Sequence, residues 1–180
     1  MTAYVALLRG INVGGHNKLP MADLRAIASG CGFAAVRTYI QSGNVVFTTR
    51  LGAAKVRSVL HDAILAETGV DSRVVVRTRA EMDAIVANNP FLARGADAKH
   101  LHVAFLFGPG DPAQAAAVDP SDYAPDEVMV AGADGYLHTP DGFGRAKIAT
   151  APMLRKLGIQ GTVRNWRTVT TLAGMAGELA

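Results

Sequence analysis

A recurrence restricts the fold of this chain more than any other feature of its sequence. His102-Val-Ala-Phe-Leu-Phe-Gly108 repeats Tyr4-Val-Ala-Leu-Leu-Arg-Gly10 at its second, third, fifth and seventh places. Each segment opens a series of elements in the same order. In the first half, residues 4–8 form a short apolar run closed by Arg9-Gly10, the pattern of a buried strand. Met21, Leu24, Ile27, Ala28 and Cys31 then recur at helical spacing, with Pro20 suited to the first turn and Gly30 or Gly32 to the exit. Residues 36–40 and 45–49 read as strands about a Ser42-Gly43-Asn44 turn. A second helix carries Val56, Val59, Leu60, Ala63 and Ile64 and ends near Gly69; residues 74–76 make a fourth strand. Thr78-Arg-Ala-Glu81 has capping-box spacing for a third helix with Met82, Ile85 and Val86, stopped by Asn88-Asn89-Pro90.

The second half follows suit. After the strand at 102–106 come a helix at 112–118 and a hairpin of 127–131 with 136–139 around Ala133-Asp134-Gly135. A short helix at 151–157 has Thr150 as cap, Pro152 in its first turn and Gly158 after it. A strand at 162–164 matches 75–77. The last helix starts at Trp166 behind Asn165 and turns Val169, Leu172, Ala176 and Leu179 to one side. The expectation is an α+β chain of two tandem ferredoxin-like β-α-β-β-α-β units. Residues 1–92 hold the glycine-rich loop and 93–180 the terminal helix, with the seam near 90–99. One mixed sheet built from both halves is the alternative.

Composition removes other classes. Of 180 residues 49% are apolar, and the net charge is only +3, so an intrinsically disordered chain is excluded. Cys31 is the single cysteine and can form no internal disulfide. No run approaches the roughly 18 apolar residues of a membrane span. The apolar start lacks a basic leader and a cleavage site, so a cytoplasmic protein without a membrane partner is expected.

Three stretches offer chemistry. In the first, Gly10 and Gly15 have G-x-x-x-x-G spacing after a strand, but His16 and Asn17 stand where a P-loop needs Lys and Ser or Thr. Pro20 also delays the helix, which argues against ATP hydrolysis. What survives is an anion cradle: the backbone of Gly14 and Gly15, with Arg9, Asn12, His16 and Lys18 adding donors. The competing reading is that the glycines merely allow a tight path. In the second, Tyr39-Ile-Gln-Ser-Gly-Asn44, strand alternation puts Tyr39 and Gln41 on one face and Ile40 on the other. Gln41, Ser42 and Asn44 can bond a ligand or the turn's own backbone. In the third, Arg164-Asn-Trp-Arg-Thr168, Arg164 and Asn165 stand where a strand meets a helix and can hold phosphate or carboxylate. Trp166 either stacks a base or packs in the core. Arg145 and Lys147, beyond Gly142-Phe-Gly144, add positive charge.

The remaining groups point to no reaction. His100 and His102 can share a strand face, but without a third ligand they read as a surface pair, and no metal or cofactor is expected. Cys31 reads as an inert buried thiol on a helix face and Asp23 as a helix-dipole residue. His61 and Asp62, adjacent on a helix, should point apart. No nucleophile–base–acid set is apparent, and His16 is the one plausible general acid or base.

These three stretches resemble the bacterial domain of unknown function 1697 family. The resemblance rests on Arg9-Gly-Ile-Asn-Val-Gly-Gly15 with Asn17, and on Leu19-Pro-Met21 with Leu24. It rests equally on Thr38-Tyr-Ile-Gln-Ser-Gly-Asn-Val-Val-Phe47 and on Thr162-Val-Arg-Asn-Trp-Arg-Thr-Val169 with Leu172. It implies ferredoxin-like α+β units and no activity, and it directs attention to Arg9, Asn12, Gly14, Gly15, Gln41, Ser42, Asn44, Arg164 and Asn165.

Charge sorts with the motifs. Residues 1–60 carry a net +6, residues 61–142 a net −8 and residues 143–180 a net +5, and all three stretches lie in the basic ends. The expected function is a binding module for an anionic, phosphate-bearing ligand, a small molecule or a nucleic-acid backbone. The alternatives are an enzyme acting on a phosphorylated or carboxylated small molecule, and a nucleic-acid-binding or structural unit. Oligomeric state is left open.

Overall fold

The computed structural model describes residues 1–179, which form two four-stranded antiparallel sheets and six α-helices. The first sheet takes β1 (Thr2–Leu8), β2 (Ala34–Tyr39), β3 (Asn44–Thr49) and β4 (Val74–Thr78), in the order β2-β3-β1-β4. Its helices are α1 (Met21–Gly30) and α2 (Ala53–Thr68), with α3 (Arg79–Ala87) following β4. The second sheet takes β5 (Leu101–Leu106), β6 (Glu127–Ala131), β7 (Asp134–His138) and β8 (Gly161–Asn165), in the order β6-β7-β5-β8. The helices α4 (Pro112–Ala116) and α5 (Ala151–Lys156) precede β6 and β8, and α6 (Trp166–Gly177) follows. The single mixed sheet considered from sequence is therefore not formed. The chain divides into two compact units, Met1–Ala84 with the stretch from Thr171 onward, and Ile85–Thr170.

The recurrence is kept residue for residue in the sheets. Val5 lies opposite Arg77 on β4 and Val46 on β3. Its counterpart Val103 lies opposite Arg164 on β8 and Tyr136 on β7. In the first unit, Tyr4, Ala6 and Leu8 of β1 alternate onto one face with Phe47 and Val76. That face packs on Leu24 and Ile27 of α1 and on Leu60 and Ile64 of α2, removing each from water at about 25 cal/mol per Å² of apolar surface. Phe33 stacks on Phe47 with ring centroids 4.3 Å apart. In the second unit α4 and α5 have only five and six residues. The core under Ala104, Leu106 and Leu137 is therefore completed by loop side chains, Val118, Tyr123, Ala146 and Ile148 among them.

Local signals read from sequence set several ends. Thr78 and Glu81 form the reciprocal capping box of α3: the Glu81 carboxylate accepts from Thr78 N at 2.6 Å, and Thr78 Oγ1 accepts from Glu81 N at 3.2 Å. Gly69 closes α2 in the left-handed region. Other boundaries differ. β2 starts at Ala34 through a bulge before Arg37, β3 already includes Asn44, and β7 starts at Asp134, so both hairpin turns sit earlier than the turn residues suggested. Among the described residues no helix is long and apolar enough to cross a membrane.

Gly161 pairs with Leu106 where β8 runs against β5, and a Cβ there would collide with the carbonyl of Phe105. Gly161→Ala should cost about 2–3 kcal/mol in urea unfolding, because a close-packed backbone has nowhere to move. Gly144→Ala, with nothing within 4 Å of its Cβ position, should be nearly neutral. Equal effects of the two would contradict this packing.

Candidate functional site

The loop between β1 and α1 has an expensive backbone. Five of residues 10–17 are left-handed: Gly10, Asn12, Gly14, Gly15 and Asn17. Side chains hold it in place. Asn12 Oδ1 accepts from Leu19 N at 2.8 Å, while Asn12 Nδ2 donates to Leu19 O at 2.9 Å and to Gln41 O at 2.8 Å. Asn17 Nδ2 donates to Gly10 O at 3.0 Å, and Asn12 N to Asn17 O at 3.1 Å. The Asn12 carboxamide is therefore engaged with backbone and does not face a ligand.

The 39–44 turn is built the same way. Asn44 is fully buried and donates to Tyr39 O at 3.0 Å and Ser42 Oγ at 2.8 Å. Gly43 accepts from Leu8 N at 2.8 Å, and a Cβ on it would lie 2.7 Å from Ile11 Cδ1 and 2.8 Å from Leu8 Cβ, so only glycine fits. Ile40 has φ +48°, an unusual conformation for a β-branched residue. The strand ends at Tyr39, and the alternation expected through Gln41 fails there. Loop and turn thus meet through the Asn12–Gln41 bond, and exposed around them are Arg9, Gly14, Gly15, His16, Lys18 and Gln41. The N–H groups of Gly14 and Gly15 have no partner among the described residues.

Arg164 and Asn165 belong to the second unit. Arg164 is buried and donates to Thr162 Oγ1 at 2.7 Å and to Val163 O at 3.0 Å. Burial brings its pKa down to about 10, which still leaves it charged at neutral pH. Asn165 Oδ1 accepts from Thr168 N at 2.9 Å, the cap expected for α6. Beside it lies a cavity of about 620 Å³ whose lining includes Lys99, His102, Phe143, Trp166 and Arg167. Sequence reading missed this cavity. His102 is not half of a surface pair: it is partly buried, stacks on Phe143 at 4.4 Å, and burial lowers its pKa. Its alignment with Tyr4, an aromatic position, was the available signal.

Two other groups also differ from expectation. His61 Nδ1 meets Asp62 at 3.1 Å and His61 Nε2 meets Asp71 at 3.0 Å, because the long ring reaches a neighbour that Cβ directions alone keep apart. Cys31, expected as a buried thiol, is only partly buried: it packs against the core from the C-terminal end of α1, with Sγ 3.9 Å from Val59 O, and burial raises its pKa and disfavours the thiolate. Among the described residues no group of three or more His, Cys, Asp or Glu is placed to hold a metal ion.

The profile of the family described as protein of unknown function DUF1697 matches residues 1–136. The chain belongs to this family. The DUF1697 match contains the loop and the turn in full and ends before Arg164 and Asn165. The structure of the conserved bacterial protein SP0830 from Streptococcus pneumoniae is similar, with a TM-score of 0.78 and 24% identity, over 97% of this chain and 98% of that one. This likeness is one of fold. No curated protein matches the chain.

The His61 pKa is raised above 6.5, chiefly by the Asp71 and Asp62 hydrogen bonds. The stabilisation from a raised pKa is complete below 6.5 and fades as pH climbs through the folded-state value. Urea midpoints should therefore show a loss of under about 1 kcal/mol over that range, because the partners are solvent-screened. His61→Gln should remove it, and an unchanged pH slope in that variant would contradict the assignment.

Proposed function

We propose that this chain is a binding module for an anionic, phosphate-bearing ligand, held at the glycine-rich loop of the first unit. The observation that carries the reading is the Gly14–Gly15 pair: consecutive, exposed and left-handed, with N–H groups that no described residue uses. The two glycines are the central residues of the turn that His16 N closes on Val13 O at 2.9 Å, and successive free N–H groups of a turn can form a concave anion site. His16 and Lys18 follow at once, Arg9 precedes, and neither stretch 9–19 nor stretch 38–45 contains an Asp or Glu. Asn12, Ser42 and Asn44 serve this site by holding its backbone, while Gln41 is left exposed beside it.

The strain supports the same reading. Left-handed Asn12, Asn17 and Ile40 each cost of order 1–3 kcal/mol and persist only where surrounding bonds fix them. A connection that merely joined β1 to α1 has cheaper routes. The absence of any carboxylate near His16 in either stretch favours binding over turnover. With this reading go a cytoplasmic location and two tandem ferredoxin-like units. The strand orders β4-β1-β3-β2 and β8-β5-β7-β6 and the matching registers support the latter.

Thermal unfolding at low salt with inorganic pyrophosphate tests the proposal, since a ligand of the native state raises the melting temperature. A rise of several degrees is expected that shrinks in salt and is lost in the His16→Gln/Lys18→Gln double variant. Short RNA in a parallel arm separates a nucleic-acid ligand from a small one. No rise with either probe, or a rise the double variant keeps, would sink the reading.

A further inference from the structure

We propose that the second unit carries a separate binding site for a flat aromatic ring bearing an anionic group. The site is the cavity beside Asn165. At about 620 Å³ it lies within the range of small-ligand pockets, roughly 300–1,000 Å³. Its walls come from four places, one of them the turn Ala98–His100 that carries Lys99. The strand pair His102–Asn165 sets β5 against β8, α6 begins directly after Asn165 with Trp166 and Arg167, and the turn Phe143–Arg145 brings in Phe143.

Comparison of the two sheets shows how the space arises. In the first unit Tyr4 lies opposite Phe47 and Thr78, and that position is filled: Tyr4 packs in the core and donates through its hydroxyl to Leu51 O at 3.0 Å. In the second unit the equivalent residues are His102, Leu137 and Asn165. Leu137 in place of Phe47 and His102 in place of Tyr4 remove aromatic bulk from the same location.

The lining chemistry then selects the ligand. Phe143 and His102 stack with an interplanar angle of 28°, and Trp166, itself buried as core packing requires, also lines the cavity with its small exposed part. Flat rings gain about 0.5–1.5 kcal/mol beyond area burial from such partners. Arg167 is exposed and has no ion-pair partner among the described residues. Lys99 pairs only with Asp97, at 3.0 Å and with both side chains more than half exposed, a weak bond that an anion can replace. Asn165 keeps its Nδ2 as a donor while its Oδ1 caps α6. His102 contributes its ring to the lining, its Nδ1 atom being shut off from solvent. Ring and charge are thus both needed, and neither alone matches the lining.

Trp166 is the only tryptophan of the chain, so its fluorescence reports on this cavity directly. The full chain is titrated with adenosine 5′-monophosphate, phenyl phosphate and benzoate. Adenosine supplies a ring without charge and ribose 5-phosphate a charge without ring. At least one ring-plus-anion probe should quench saturably with Kd below about 1 mM, and both controls should bind about tenfold weaker or less. The probe that binds best shows whether a nucleotide, a simpler aryl phosphate or a carboxylate is the match. Arg167→Gln, a surface change that should leave folding intact, is expected to weaken binding about tenfold. Phe143→Leu should weaken it as well, and the His16→Gln/Lys18→Gln chain should respond as the wild type does. No saturation by about 10 mM with any of the three probes, controls as strong as the probes, or an indifferent Arg167→Gln variant would overturn the proposal.

Discussion

The first unit's candidate site depends on one carboxamide. Asn12 makes three hydrogen bonds to backbone groups, two of them to Leu19 and one across 29 residues to Gln41. Each such bond is worth about 0.5–1.5 kcal/mol net, and leaving its partner unmet costs more. Without Asn12 the loop would keep its left-handed residues and lose what holds them. With it, loop and turn become one body. Leu8 N bonds Gly43 O, and Ile11 sits where a Gly43 side chain would be, so that body is fused to the β1 core.

A second constraint is the sheet frame itself. The same register occurs in both units, so a substitution at one position of the frame has a definite structural partner in the other. Tyr4 over Phe47 fills the first unit; His102 over Leu137 opens the second. The frame also carries a buried arginine twice, Arg77 and Arg164, each donating to the carbonyl of the preceding residue. Duplicated geometry with different content allows the same frame position to be filled in one unit and to border a cavity in the other.

Most of the element order was legible because its signals are local. The Thr78–Glu81 box, the Asn165 cap and Gly69 each act within four residues, where spacing alone identifies the partner. The roles of Asn12 and Asn44 were not legible in the same way. A polar side chain in a turn can serve backbone or ligand equally well, and only the meeting of residue 12 with residue 41 decides. Ile40 breaks the strand pattern because a left-handed β-branched residue is a tertiary outcome, invisible to alternation. The cavity lay further out of reach still, since His102, Phe143 and Trp166 come from separate elements.

The central claim is that Asn12 holds the loop so that Gly14 and Gly15 present their N–H groups to an anion. Amide nitrogen–proton NMR during a pyrophosphate titration tests it most directly. The account predicts that the Gly14 and Gly15 signals move saturably in the wild-type chain, and that an Asn12→Ala chain, folded by the criterion of its sheet amides, loses the response. Glycine signals that stay fixed while pyrophosphate binds, or that move equally in the Asn12→Ala chain, would contradict it.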